Sequence, residues 1–560
     1  MAVPSNILID LGLIIILATV LAYLAQLIKQ PLIPAYILAG VILGPIGLGF
    51  VKDIELIRAL SEIGIAFLLF LVGLEINIKK IKNVAGIALF GGLIQIILTF
   101  LVGFFIGQLM GFQKLTSVYI GLIITFSSTM IVVKLLSDKG HINTLHGRIL
   151  LGILLVQDLV AVFALSFLTK EELNGGVIIT SIIQGAILIG AVFLLSRFLL
   201  KKVFDFAAKS RELIFLIAIS LCFLFAILAY LLDFSIAIGA FMIGVGLANL
   251  PYNYEIVGRV VSLKDFFSTI FFVSLGMQLV MISTELLVLL LVLVLAVILL
   301  KPLIVMIITS IASYETRTAF LTSLSLGQVS EFSLLLGSIG FYVSGHLSQE
   351  FFSLIVFLTV ITMVITSYLI KYSSGIYDKL SWFLRLFGVL STKKKKLGFE
   401  AKDNKHKVVL FGCNRMGKIF LRTLGKANVL VIDHDPGVIG RLIKSRTGCY
   451  YGEMNNYEIL KKINFMESEL VISTIEDIDN NLSMIRHVKG INDRVRIFVS
   501  AKNIGDALDL YERGADYVII PHVFSAEAMG SLFKKVSSGN FSKIRTEHIQ
   551  HLIDLESGKY

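Results

Sequence analysis

Over the first 372 residues apolar positions come in blocks of about 20, separated by charged or Pro/Gly punctuation, the length that carries a helix across a ~30 Å hydrocarbon core. Thirteen such spans are predicted, near 6–28, 32–49, 58–77, 84–110, 115–137, 147–169, 176–202, 211–232, 235–250, 263–281, 284–310, 315–343 and 350–372. Beyond residue 406 the pattern changes to short apolar runs alternating with amphipathic stretches. Strands are predicted at 407–411, 428–433, 470–474, 496–500 and 517–520, with helices between them. The expected architecture is a polytopic α-helical membrane domain (1–372) followed by a C-terminal α/β Rossmann-like domain (407–540) and a tail (541–560). In the connecting segment 373–406, Ile376, Leu380, Phe383, Leu384 and Phe387 recur at helical spacing beside Trp382, ahead of Lys393-Lys394-Lys395-Lys396. That pattern predicts an amphipathic helix on the inner membrane face with a basic anchor.

Composition sharpens this division. The 560 residues are 56% hydrophobic and 16% charged, with mean hydropathy +0.88, which excludes a soluble globular enzyme. Residues 1–392 hold 42 charged side chains and residues 393–560 hold 47, so the second part alone has a soluble composition. The net charge of +11 is spread over both parts, and no nucleic-acid partner is expected. The three cysteines form no CxxC pair, which fits a reducing cytoplasmic setting for the tail. The N-terminus has no basic n-region, so its apolar run from Ile7 reads as a retained helix. Lys and Arg number fourteen in one alternate set of loops, Lys29, Lys79, Lys139 and Lys201 among them, and four in the other. That bias predicts an inner-membrane protein with the N-terminus outside and the C-terminal domain in the cytoplasm.

The membrane part repeats itself. Leu71-Val72-Gly73-Leu74-Glu75 aligns with Ser274-Leu275-Gly276-Met277-Gln278 at an offset of 203, and Gly40 and Leu43 align with Gly244 and Leu247 at 204. The second copy starts seven spans after the first, an odd number, so inverted repeats are expected. The same shift sets Ser127-Ser128 opposite Glu331-Phe332.

Within this apolar background, ionisable residues are costly and mark a pathway. Asp158 is the one charge between Ile149 and Thr169, and Gln157 precedes it. Burial favours the protonated carboxyl and a bound cation favours the ionised one, so a single carboxylate can exchange a proton for a K+ or Na+ ion. Thr125-Phe126-Ser127-Ser128-Thr129 is a hydroxyl-rich row suited to an unwound segment, and its repeat partner contains Gln328-Val329-Ser330-Glu331-Phe332. Two crossed broken helices would bring Thr125, Ser127 and Ser128 beside Asp158, with Glu331, Lys301 and Gln328 balancing partial charges at the crossing. Lys301, followed by Pro302, either pairs with Asp158 or supplies that local balance. Glu75 reads as an interfacial ion pair with Lys79 and Lys80, and Pro31, Pro34 and Gly44-Pro45 as helix-end geometry.

The Gln157-Asp158 pair, the two breaks, thirteen spans and the C-terminal module together resemble the monovalent cation:proton antiporter-2 family, and within it the Kef-type potassium/proton antiporters. The resemblance spans essentially the whole chain. It implies that Asp158 binds cation and proton alternately, in an elevator-like motion of a core domain against a dimerisation domain in a homodimer. It also implies that one acid at this site, with Gln157 in place of a second, exchanges ions electroneutrally, potassium ahead of sodium. A potassium channel would need a filter string such as TVGYG, which does not occur.

In the soluble part, Lys407–Phe411, a turn at Gly412-Cys413-Asn414-Arg415-Met416-Gly417, a helix, and Asp433 at the end of a second strand form the arrangement that holds phosphates on a helix N-terminus and a ribose on a carboxylate. This unit resembles the TrkA-N type of RCK domain, a regulatory module. Asn414 stands at the middle-glycine position, which leaves NAD(H), a mononucleotide such as AMP, or a purely structural Rossmann dimer as alternatives for this site. A small regulatory metabolite is a further expected partner. The chain is thus expected to be a transporter and not an enzyme.

Overall fold

The computed structural model describes residues 7–28, 30–50, 54–75, 86–139, 141, 144–168, 184–185, 187–188, 190–207, 210–232, 234, 236–248, 250–312, 314–388, 398–399, 406–452, 454, 457–460 and 463–536. The side chain of Glu75, lysines 79, 80 and 393–396, residues 176–183, 186 and 189 of the 176–202 span, and the tail 541–560 lie outside the described residues. The chain divides into two compact units, Met1–Ile142 with His146–Lys394, and Asn143–Leu145 with Lys395–Tyr560.

The first unit is helical. Eight of its described helical segments are long and apolar enough to cross a membrane, Lys114–Ser137 among them being interrupted at 126–128: Leu8–Leu27, Ile87–Leu109, Lys114–Ser137, Leu145–Leu165, Glu212–Leu231, Glu255–Met277, Thr284–Ile311 and Gln349–Lys371. Leu32–Leu43, Glu62–Leu74 and Ile238–Leu247 are apolar but shorter. Length alone therefore recovers fewer spans than the thirteen expected. Twelve helical residues rise only about 18 Å, and the 315–343 block is cut into Thr316–Ser325 and Glu331–Ser338. Outward-facing Ile16, Tyr23, Phe198, Ile227 and Leu231 are exposed, as a lipid-facing belt requires.

The repeat is visible in the packing. Helix Asn253–Met277 lies along Leu32–Leu43 and Ile54–Glu75, and Ile236–Leu247 lies along Ile54–Glu75. At the first crossing Gly40 meets Gly276, and a Cβ on either would strike the opposite backbone at Val273 O or Ile37 O. At the second, Gly73 meets Gly244, where a Cβ would strike Phe241 O or Phe70 O. The offset of 203–204 exchanges these two contacts, so the aligned glycines are the close-approach points of a pseudo-symmetric pair. The helix Asn253–Met277 also begins ten residues before the expected span, which makes Lys264 a buried helical residue and not a loop cation.

A second group of helices holds the broken segments. Gly92–Leu109 packs on Lys114–Thr125, and Gln349–Lys371 on Thr284–Leu295 and Glu331–Ser338. A π-helical turn, Ala296–Leu300, precedes Lys301-Pro302, and this widened turn accommodates the proline, which has no N–H to continue the ladder. Helix Ser373–Gly388 sits where the amphipathic pattern put it, with Leu384, Ile376 and Tyr377 against Phe320, Leu321 and Leu324, and Trp382 exposed.

The second unit is a seven-stranded sheet of β1 (Gly398–Phe399), β2 (Val408–Phe411), β3 (Val429–Asp433), β4 (Cys449–Tyr451), β5 (Leu470–Ser473), β6 (Arg496–Ser500) and β7 (Tyr517–Ile519). Its order is β1-β4-β3-β2-β5-β6-β7, parallel throughout except for β1. Counted from β2 this is the doubly wound order 3-2-1-4-5-6. Near-continuous burial of β2, β3 and β5 is what a sheet covered on both faces demands. Asp435, Asp477 and Asn503 cap the helices that follow β3, β5 and β6. The two strands absent from the predicted set are β1 and β4, two and three residues long; unlike the equally short β7, whose Tyr517-Val518-Ile519 continues into Ile520, neither is part of a longer β-branched apolar run.

Candidate functional site

Helix Lys114–Thr125 stops at Phe126, whose ψ of 146° is extended, and helix Thr129–Asp138 restarts after Ser128. Ser128 caps the new helix by accepting from Ile131 N at 3.3 Å, and Ser330 does the same for Phe332 N at 3.2 Å in the second break. Hydroxyl residues at these positions are what end and restart a helix without leaving donors unpaired.

The two breaks bond to each other. Ser127 Oγ donates to Leu326 O at 3.0 Å, Gln328 Nε2 donates to Ser128 O at 3.2 Å, and Ser333 Oγ donates to Ile123 O at 2.7 Å. Thr362 accepts from Val329 N, and Thr366 donates to Gly327 O, so helix Gln349–Lys371 holds the second break from behind. Lys301 is buried, and its Nζ donates to Phe126 O at 3.0 Å and Gln328 O at 2.9 Å. Of the two roles open to it, the geometry matches the local balance: it binds the carbonyl-rich ends of both breaks, and among the described residues no carboxylate lies within 4.0 Å of it. Glu331 begins the helix Glu331–Ser338, at the positive end of its dipole. It is 1% exposed, and its Oε2 and Gln328 Oε1 have no hydrogen-bond partner among the described residues. Buried Lys264 lies within electrostatic reach of Glu331 and pairs with Asp265 at 2.6 Å.

Asp158 stands mid-helix in Leu145–Leu168, 5% exposed, and its Oδ2 accepts from Thr129 Oγ1 at 2.9 Å. The carboxylate is therefore beside the first break. Gln157 Oε1 accepts from Ser127 N at 2.8 Å, and its Nε2 donates to Gln95 Oε1 at 2.6 Å. Thr125 Oγ1 donates back to Gly121 O at 2.7 Å. Ser127 and Gln157 thus brace the break beside Asp158, while the Thr125 hydroxyl is engaged within its own helix. Sequence reasoning missed Gln95, Thr362 and Thr366, and gave Thr129 no role as the partner of Asp158. Gln95 left a signal, because it and Thr99 form a buried polar pair four residues apart in a helix whose other polar side chain, Gln108, stands at the far end.

In the second unit, Gly412 follows β2 with φ +82°, and a Cβ there would lie 2.5 Å from Thr474 Oγ1. A Cβ on Gly417 would strike Gly412 O, so both glycines are sterically required. Asn414 is exposed and precedes the helix Arg415–Leu424, with Met416 half-buried in its first turn. The Asp433 carboxylate, at the end of β3, accepts from Cys413 N at 2.7 Å and Asp435 N at 2.8 Å. It therefore fixes the glycine turn that follows β2. The Cys413 thiol is pushed up to about 11, first by burial and then by Asp433, so it stays protonated at neutral pH.

Residues 13–372 match the sodium/hydrogen exchanger transmembrane family and residues 408–521 the TrkA-N domain family. The chain belongs to the sodium/hydrogen exchanger family. Within it, this is a Kef-type member of the monovalent cation:proton antiporter-2 group with a C-terminal RCK domain. "K(+) efflux antiporter 6" of Arabidopsis thaliana is 30% identical over 417 residues, which cover 72% of this chain and 69% of the relative. The "Glutathione-regulated potassium-efflux system protein KefC" of Escherichia coli O45:K1 is 26% identical over 494 residues, covering 86% and 77%. The sodium proton antiporter MjNhaP1 from Methanocaldococcus jannaschii shares the fold of the exchanger part, with TM-score 0.50 and 18% identity over 68% of this chain and 98% of that one.

Proposed function

We propose that this protein exchanges K+ for H+ across the cell membrane by alternating access, with Asp158 binding cation and proton in turn. The observation that carries this is the buried Asp158 carboxylate held by Thr129 at the edge of a helix break. A carboxylate so placed is neutral in two ways, protonated or cation-bound, and only a neutral site crosses an apolar barrier cheaply. Two broken helices crossing at mid-membrane, within thirteen spans arranged as inverted repeats, supply the fixed dipoles. Their negative ends meet Lys301 and a positive end meets Glu331. The glycine-locked helices 32–75 and 236–277 act as the scaffold against which the core helices move, and also as the homodimer contact. The N-terminus lies outside and the C-terminal domain in the cytoplasm, where AMP or NAD(H) on the Gly412–Gly417 turn and Asp433 regulates exchange. Potassium is favoured by the relatives named for potassium efflux, and Na+/H+ exchange is the second reading, favoured by the match to the sodium/hydrogen exchanger family.

The test is reconstitution in liposomes with an internal pH reporter, adding K+ or Na+ to wild type and Asp158→Asn. Cation-evoked proton movement is expected in wild type alone. Movement that persists in Asp158→Asn removes the assignment of Asp158, and movement with neither ion removes antiport.

A further inference from the structure

Helix Gly92–Leu109 carries Gln95 and Thr99 fully buried one turn apart. Gln95 reaches both edges of the first break. Its Nε2 donates to Thr125 O at 3.2 Å and to Thr99 Oγ1 at 3.1 Å, while its Oε1 accepts from Gln157, whose own Oε1 takes the Ser127 N–H. The orientations of both amides follow from chemistry alone. Thr125 O only accepts, so the Gln95 atom facing it is nitrogen, and Ser127 N–H only donates, so the Gln157 atom facing it is oxygen. The two remaining amide atoms then meet as donor and acceptor, at 2.6 Å.

We propose that Gln95 is a positioning residue for exchange at Asp158. Acting through Gln157, it holds Thr125 to Ser127 in register so that Thr129 presents its hydroxyl to the carboxylate. The Gln95 contact also suits a neutral side chain at position 157. An ionised acid at 157 would offer two acceptors, one of them facing Gln95 Oε1, and flipping the Gln95 amide would turn that oxygen against Thr125 O. A protonated acid fits, since its O–H replaces the Nε2 donor. The bracket therefore matches a pair in which Asp158 is the one ionisable side chain. This inference rests on the antiport reading above.

The experiment compares wild type, Gln95→Met and Gln95→Glu in the same liposomes across pH 6 to 8.5, alongside thermal unfolding. Gln95→Met, which removes both partners, is expected to raise the cation KM about tenfold, with the maximal rate within a few-fold of wild type. Gln95→Glu keeps the shape. Its protonated form can accept from Gln157 and donate to Thr125 O, whereas its ionised form cannot donate. Compared with wild type at each pH, whose own cation KM falls as the competing proton leaves Asp158, it is expected to match at low pH and to fall behind in affinity as pH rises. Wild-type KM and pH profile in both variants would overturn the proposal, and if Gln95→Met fails to fold, the pH profile of Gln95→Glu decides. Inactivity of wild type toward both K+ and Na+ would instead overturn antiport itself.

Discussion

Lys301 Nζ donates to the carbonyl oxygen of Gln328 at 2.9 Å, and with its second bond to Phe126 O it ties together two breaks through carbonyls 202 residues apart in sequence. A buried ammonium is costly to desolvate, and here carbonyl dipoles from two helix ends offset that cost. Lys301→Met leaves both carbonyls without this donor, at about 1–3 kcal/mol each. The expected outcome is a lower Tm in detergent together with lost transport, and a smaller loss for Lys301→Gln, which retains a donor. A Lys301→Met protein as stable as wild type would show that the bridge is dispensable.

The glycine contacts predict a sharp contrast among glycine substitutions. Gly40→Ala and Gly276→Ala force a methyl into opposing backbone, which cannot yield as a side chain can, whereas nothing stands within 4 Å of a Cβ at Gly12 or Gly258. Overpacking of this kind costs about 1–3 kcal/mol or more. Thermal unfolding should therefore show a clear loss for the first two and no loss for Gly12→Ala and Gly258→Ala. Equal behaviour of the four would remove the close-approach role.

The legible features in the sequence were those with a local cause. Asp158 stood out because its surroundings carry no other charge, the breaks because four hydroxyls cluster in five residues, and the repeat because close helix crossings demand glycine at fixed offsets. The role of Gln95 was not legible, although its pairing with Thr99 left a signal, since that role depends on Gln157 62 residues away in sequence. The two roles open to Lys301 could be separated only by tertiary geometry, because both need the same buried cation. Strand β4 escaped for a different reason: three residues paired to β3 owe their conformation to the neighbour and not to their own pattern.

In the C-terminal domain, Asp433 bonds two backbone N–H groups and still has lone pairs for a ribose hydroxyl. Asp433→Ala orphans both donors as well as removing the ribose contact. The full-length protein is expected to lose its thermal shift with AMP or NAD(H), and hydrogen exchange at Cys413 and Asp435 should quicken even without nucleotide. An unchanged nucleotide shift would detach Asp433 from binding, while unchanged exchange would detach it from the turn.

His406 predicts the acid response of the same domain. It precedes β2, is 7% exposed, and neither ring nitrogen has a hydrogen-bond partner among the described residues. Burial lowers its pKa, as it does for His487, whose ring packs edge-on to Phe465. The unfolded chain therefore binds more protons than the folded one below the ordinary histidine value of about 6.5. Stability from both groups is fully present above that value and is lost as pH falls from it toward the lowered folded values. Hydrogen-exchange protection of β2, β3 and β5 in the full-length protein, corrected for intrinsic rates, should decline between about pH 7 and pH 5.5. His406→Leu, which fills the site without a titrating group, should reduce the decline, and a further His487→Leu should reduce it again. An equally steep decline in the double variant would place the acid sensitivity elsewhere.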